Sequence, residues 1–184
     1  MPSTPLNAPG VFAPPSPAPF SAAPPSFSSS DFRAALGMFA TGVTIVTART
    51  PAGTLVGLTA NSFNSVSMSP PLVLWSLGTS ATSMEAFSTG SHYAIHILSA
   101  EQKDLAAQFA SKTADRWQGV AHTLSPSGVP LLPGCVARFE CFNRSRYEEG
   151  DHVIFVGEVE RCCHREGAAP LLYHGGKFYT EHAL

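Results

Sequence analysis

The sequence predicts a mainly β fold, an antiparallel barrel with two or three short helices. Three observations carry the prediction. Strand-sized runs of β-branched and apolar residues recur along the chain, and turn residues separate most of them at short range. No segment repeats at the fixed period of a solenoid or propeller. About seven such runs, joined mostly by hairpins, suit a closed antiparallel sheet better than crossover units.

The elements follow in order. Ser28-Ser29-Ser30-Asp31 is a helix N-cap cluster, and Phe32, Leu36 and Phe39 continue it at helical spacing until Thr41-Gly42. Val43–Thr47 is β-branched throughout and reads as a strand, and Pro51-Ala52-Gly53 turns it into a second strand at Leu55–Leu58. Pro70-Pro71 introduces a strand at Leu72–Leu77. A short helix at Thr82–Thr89 stops near Gly90, and Tyr93–Leu98 is a further strand. Ser99 caps a helix of about Glu101–Ser111 with Leu105 and Phe109 on one face. A Gly-, Pro- and Ser-rich loop then runs to Gly134, before strands at Ala137–Asn143, His152–Glu160 and Lys177–Thr180.

Residues 1–30 differ from the rest. They hold nine of the sixteen prolines, seven serines and no charged residue, so little there can be buried and the stretch reads as a disordered tail. Residues 31–184 are then one domain. That domain is large enough for a full core, since 44% of the chain is hydrophobic. The eleven Lys and Arg residues are scattered and the net charge is −2, which argues against nucleic acid. The longest apolar run, Pro71–Leu77, is strand-sized and far short of a membrane span, and the N-terminus lacks a signal-peptide pattern, so the cytoplasm is the expected location.

Cys135, Cys141, Cys162 and Cys163 lack zinc or C-x-x-C spacing and read as small hydrophobes beside strands. His92 and His96 fall on a strand, where they would stand about 13 Å apart, too far to share a metal.

Two polar clusters stand out in this apolar chain. Thr59-Ala60-Asn61-Ser62 with Ser65 lies between two strands, where small side chains let a flat ligand approach the backbone and hydroxyls meet its polar edge. Thr79-Ser80-Ala81-Thr82-Ser83 opens a helix, an arrangement suited to a phosphate. An ordinary polar turn and an ordinary N-cap would read the same way.

A resemblance separates these readings. Phe32-Arg33-Ala34-Ala35-Leu36-Gly37-Met38-Phe39-Ala40-Thr41-Gly42-Val43-Thr44 resembles the opening of the short-chain flavin reductases, the reductase components of two-component flavin monooxygenases. Thr59-Ala60-Asn61-Ser62-Phe63, then Ser65-Val66-Ser67 and Pro70-Pro71-Leu72-Val73-Leu74, are similar to that family's central pattern. Leu105-Ala106 with Phe109-Ala110, Asp115-Arg116-Trp117, Gly150-Asp151-His152 and Pro170-Leu171-Leu172-Tyr173 follow in the family's order. At the C-terminal end Gly176-Lys177-Phe178 stands where Gly-Arg-Tyr is usual.

The resemblance implies an FMN-binding split barrel, a homodimer, and transfer of a hydride from NADH or NADPH to FMN or FAD. The reduced flavin would supply a partner monooxygenase. It also implies that Thr59, Ala60, Asn61 and Ser62 line the flavin ring and ribityl chain, with Ser65 close by. Ser80, Thr82 and Ser83 would face the phosphate, and His152 the nicotinamide. A flavin carrier of the same fold, without efficient nicotinamide chemistry, is the alternative.

Overall fold

The computed structural model describes residues 25–112 and 115–182. Most of the expected tail, residues 1–24, lies outside them. The first helix, α1 (Ser29–Gly37), starts where the sequence places it: Ser28 accepts from the Asp31 N–H, and the Asp31 carboxylate accepts from the Ser28 N–H. Its apolar stripe is nevertheless exposed, with Phe32, Leu36 and Phe39 at 52%, 58% and 76%.

The strands are β1 (Thr41–Gly42), β2 (Thr44–Arg49), β3 (Leu55–Ala60), β4 (Asn64–Met68), β5 (Pro71–Gly78) and β6 (His92–Ile97). Then come β7 (Thr123–Leu124), β8 (Pro130–Leu131), β9 (Ala137–Glu149), β10 (His152–His164), β11 (Leu172–His174) and β12 (Lys177–Tyr179). Helix α2 (Met84–Thr89) follows β5, and α3 (Lys103–Ala110) follows β6 through a 3-10 turn at Ala100–Gln102.

Seven strands form one antiparallel sheet in the order β3-β2-β6-β9-β10-β5-β4. Its two edges, β3 and β4, are joined only by Asn61-Ser62-Phe63. A flat sheet of that width would hold its edges about 29 Å apart, whereas so short a link reaches about 14 Å. The sheet therefore curls until β3 comes up against β5. No ladder closes the seam, so the barrel is split there. Ser62 bridges it: its hydroxyl donates to the Ser76 carbonyl at 3.1 Å and accepts from the Ser76 N–H at 2.9 Å.

Strand β2 shows why the barrel has two cores. Its burial runs unbroken from Thr44 to Ala48, because both faces are covered. Val46 and Ala48 face the barrel interior with Trp75, Phe87, Tyr93 and Phe155. Trp75 stacks on Phe155 at 4.9 Å and meets the edge of Phe87, which α2 delivers into the same cluster. Val43 and Ile45 face outward, into a second cluster with Leu98, Ala106, Phe109, Leu132 and Leu171. Each of the buried Val, Leu, Ile and Phe side chains among them contributes about 1.5–3 kcal/mol of hydrophobic stabilisation.

The structure also contains strands that the sequence pattern did not predict. β4 is a polar edge strand, the expected loop before Gly134 contains the β7–β8 hairpin, and β9 and β10 extend well past their apolar segments.

Candidate functional site

Strand alternation divides the first polar cluster between two faces. Val56, Leu58 and Ala60 pack toward the barrel interior. Gly57, Thr59 and Asn61 turn outward, toward α3 and the C-terminal hairpin. Gly57 is required there, since a Cβ would come within 2.5 Å of the Phe109 ring.

Along this outer face lie three neighbouring cavities that share lining residues and together make a segmented groove. The first is a mainly apolar chamber of about 540 Å³ lined by Val43, Thr59, Asn61, Ala110, Tyr173 and Phe178. Next is a neck of about 200 Å³ that shares Thr59 and Ala110 with it and adds Thr82, Ser83 and Arg116. The last is an outer chamber of about 820 Å³ that shares Thr82, Ser83 and Arg116 with the neck. Ser80, Lys112, Asp115 and Trp117 also line it.

Hydrogen bonding separates scaffold from free donors in this groove. Thr59 donates to the Ala106 carbonyl at 2.7 Å, which ties β3 to α3. The Ala60 carbonyl accepts from the Thr44 hydroxyl, and Ser62 is held on Ser76. The side chains of Asn61, Ser80, Thr82 and Ser83 have no partner among the described residues. Ser65 sits on the exposed edge strand β4 and lines none of the three sections.

Helix α2 has only six residues, and Ser83 makes no capping bond to it. The positive charge at the neck therefore comes from Arg116. Its Nε donates to the Ser111 carbonyl at 2.8 Å and one Nη to the Gly57 carbonyl at 3.0 Å. These bonds fix the guanidinium at the neck and leave the other Nη without a partner among the described residues. Arg116 belongs to a sequence pattern singled out above, but nothing in the local sequence shows that it turns toward the second polar cluster.

His152 stands at the rim, outside the three sections. Its Nδ1 lies 2.7 Å from the Asp151 carboxylate, and that bond holds the Asp151 carboxyl below the usual carboxylate range. The ring sits beside Gly78, where a Cβ would stand 3.9 Å from Nε2. The Thr79 N–H and hydroxyl both donate to the Asp151 carbonyl, tying this turn to the segment that leads into Ser80.

The other candidates are structural. His96 is fully buried, with Nδ1 on the Ile45 carbonyl at 3.0 Å and Nε2 accepting from the Leu132 N–H at 3.1 Å. Those partners require a proton on Nδ1 alone, and burial pushes the pKa down to about 4. His92 reaches Glu160 at 3.5 Å on the barrel surface. Burial raises the Cys135 thiol to about 11 and Cys141 to about 12, so neither is a ready nucleophile.

A split antiparallel barrel with a groove along its seam strand is the class that the fold and the site define. The sequence pattern of the flavin reductase-like domain matches residues 36–182. The FMN reductase (NADH) SmoA of Agrobacterium fabrum is 49% identical over 150 residues, covering 82% of this chain and 84% of that protein. The reductase component of the flavin-dependent trigonelline monooxygenase of Acinetobacter baylyi is 40% identical over 82% of this chain, which spans only 48% of that longer protein. Among solved structures, the NADH:FAD oxidoreductase of Streptomyces globisporus, in complex with NAD and FAD fragments, superposes with a TM-score of 0.77 at 39% identity. That match covers 82% of this chain and 90% of the other. The chain belongs to the flavin reductase-like family.

Proposed function

We propose that this chain is an NAD(P)H:flavin oxidoreductase whose groove holds FMN or FAD, and that it supplies reduced flavin to a separate flavin-dependent monooxygenase. The observation that carries the reading is the order of chemistry along the groove. An apolar chamber with one free amide leads into a neck with two free hydroxyls and a fixed guanidinium. That donor set suits a flat heterocycle followed by a phosphate.

When bound, the flavin supplies a ring that accepts a hydride from the nicotinamide. Tyr173 and Phe178 give the ring an apolar wall, and the Asn61 amide meets its polar edge. Thr82, Ser83 and Arg116 hold the phosphate. Two substrates stacked at reacting distance need no general acid, which accords with the lack of an acid–base pair along the described groove.

His152 is assigned to the nicotinamide. With Nδ1–H directed at Asp151, Nε2 is a bare acceptor for a carboxamide N–H. His152→Ala is expected to lower kcat/KM for NADH ten- to a hundred-fold, on the order of 1.4–2.7 kcal/mol, with melting temperature unchanged. A fall in stability with normal kinetics would remove His152 from the site.

Two copies of the chain are inferred to pair, supported by the exposed stripe of α1 and by Met68 at 92% exposure. Among the described residues no helix is long and apolar enough to cross a membrane, and a cytoplasmic location is assigned, in keeping with four free cysteines. The deciding assay mixes the protein with FMN and NADH and follows the nicotinamide absorbance. Flavin binding without NADH oxidation would make the chain a carrier instead.

A further inference from the structure

A further cavity lies apart from the groove and shares no lining residue with it. Its volume is about 470 Å³, and it is bounded by the β2–β3 turn, the end of α2 at Thr89-Gly90 and the β7–β8 turn at Ser127-Gly128. We propose that this cavity binds a small organic carboxylate through the Arg49 guanidinium, and that its occupancy raises affinity for flavin. The carboxylate site stands independently of the flavin reading above, and only its effect on flavin rests on that reading.

The groups that this cavity leaves open are donors. Arg49 ends β2, and its Nε donates to the Gly53 carbonyl at 3.2 Å, which aims the guanidinium. Neither Nη has a partner among the described residues, so the end of the fork is open. Glycine makes room for it: a Cβ at Gly53 would stand 3.2 Å from one Nη, and a Cβ at Gly128 would stand 3.8 Å from the other. The Thr50 hydroxyl accepts from the Thr54 N–H at 3.0 Å and keeps its own hydrogen to donate. No Asp or Glu lines the cavity, and its other basic group, His92, is paired with Glu160 at 3.5 Å. Carbonyls at the end of α2 are also taken. Those of Phe87 and Gly90 accept from the Asn143 amide at 2.8 and 2.9 Å, and that of Ser88 accepts from Arg146. An open, planar guanidinium fork matches a carboxylate bidentately. Pro51, Ala52 and Val129 supply an apolar wall for the body of the ligand.

The walls are held by the protein itself. The β2–β3 turn closes on bonds between Thr50 and Thr54 and from Gly53 to Thr50, and the β7–β8 turn closes on Ser125. The Thr47 hydroxyl donates to the Pro130 carbonyl at 2.6 Å and fastens β8 to β2. A ligand therefore meets a site that needs little ordering. Helix α2 then links this cavity to the groove. Ser83, just before the helix, lines the neck, and Thr89, its last residue, lines the carboxylate cavity, with about 9 Å of helix between. Thr54 and Leu55, next to the β2–β3 turn, line the outer section of the groove. A carboxylate that braces the turn and the end of α2 lowers the cost of ordering the same elements around a flavin.

The test titrates the full chain with benzoate, with its neutral isostere benzamide, and with inorganic phosphate as the rival anion. Benzoate is expected to bind with a Kd of about 1 mM or tighter and to move the amide NMR signals of Gly53 and Gly128. Arg49→Gln should weaken it roughly ten-fold, with melting temperature and benzoate-free FMN reduction unchanged. Arg49→Lys keeps the charge but loses the fork, and should recover only part of the affinity. Saturating benzoate should lower the Kd for FMN roughly five-fold, and FMN should tighten benzoate by the same factor. Benzamide binding as well as benzoate, phosphate binding in preference to it, or normal benzoate binding by Arg49→Gln would each overturn the carboxylate site. Displacement of benzoate by FMN would place the probe in the groove and overturn it too. An unchanged Kd for FMN would overturn the coupling. FMN binding and reduction without benzoate report separately on the flavin reading. If both occur while benzoate fails to bind, only the present proposal falls. If FMN is neither bound nor reduced, the flavin reading and the coupling fall together, and the benzoate titration still decides the site.

Discussion

The barrel interior and the groove on its outer face share strand β3, and they differ in how their polar atoms are used. Against the buried cores, Thr44 is committed to Ala60, Thr47 to Pro130 and both nitrogens of His96 to backbone, while the Trp75 indole N–H and the Tyr93 hydroxyl are buried without a partner among the described residues. Along the groove, Asn61, Thr82 and Ser83 have no side-chain partner among the described residues, and one Arg116 Nη has none either. A polar group already satisfied by the protein holds the fold, whereas one held in place but unsatisfied is available to a ligand. Residue type alone does not separate the two regions, since Thr and Ser occur on both sides; the groove's unpartnered groups differ from the Trp75 and Tyr93 atoms in being open to a ligand.

The largest expected effect tests the interior side of the comparison. Phe155→Ala removes the ring stacked on Trp75 and should cost about 3–5 kcal/mol in urea unfolding. A loss below about 1 kcal/mol would show that the aromatic cluster is loosely packed.

His96 sharpens the comparison through pH. Its folded pKa of about 4 lies below the unfolded value of 6.5, so its contribution is fully present above pH 6.5 and is lost as pH falls toward 4. The loss should amount to about 3 kcal/mol over that interval, because a proton on Nε2 would face the Leu132 N–H. Replacing His96 with Gln should flatten this part of the stability profile. A slope that persisted in the variant would have to come from other groups.

Asn61 tests the groove side. Asn61→Ala should weaken flavin binding five- to thirty-fold, about 1–2 kcal/mol, while the melting temperature stays within a degree or two. Ser62, its neighbour in sequence, should behave in the opposite way. Ser62→Ala leaves the Ser76 N–H and carbonyl without their seam partner, so about 1 kcal/mol of stability is expected to go with little change in flavin affinity. If the two variants exchanged phenotypes, the division between committed and free groups would be wrong.

Much of this was legible in the sequence. β2, β5 and β6 announced themselves through apolar, β-branched segments, because burial on one or both faces selects such residues. β4 did not, since Asn64-Ser65-Val66-Ser67-Met68 is an edge strand with little burial on either side. The far ends of β9 and β10 were also silent. There residues 144–149 of β9 and 161–164 of β10 are mostly exposed, and no core imposes alternation.

In the site, the polar clusters were visible but their division was not. Period-two alternation places Thr59 and Asn61 on one face and Ala60 and Ser62 on the other. Residues that alternate between two faces cannot all present side chains to one ligand. The arrival of Arg116 beside Thr82 depends on α3 packing against β3, a long-range contact that no local pattern encodes.

The strand order has a further consequence for how the chain is made. β5 takes β4 as its partner through a tight turn, but its other neighbour, β10, begins only at His152. At roughly 5–20 residues per second, ribosomal synthesis separates the two strands by roughly 4–15 seconds. During that interval the Trp75 strand is unpaired along one edge. β9 and β10, translated almost last, slot into the middle of the sheet between strands made long before. Closure is thus a late, non-local event, characteristic of slow β topologies. A truncation that removed β10 would leave β9 and β5 as open edges and no barrel.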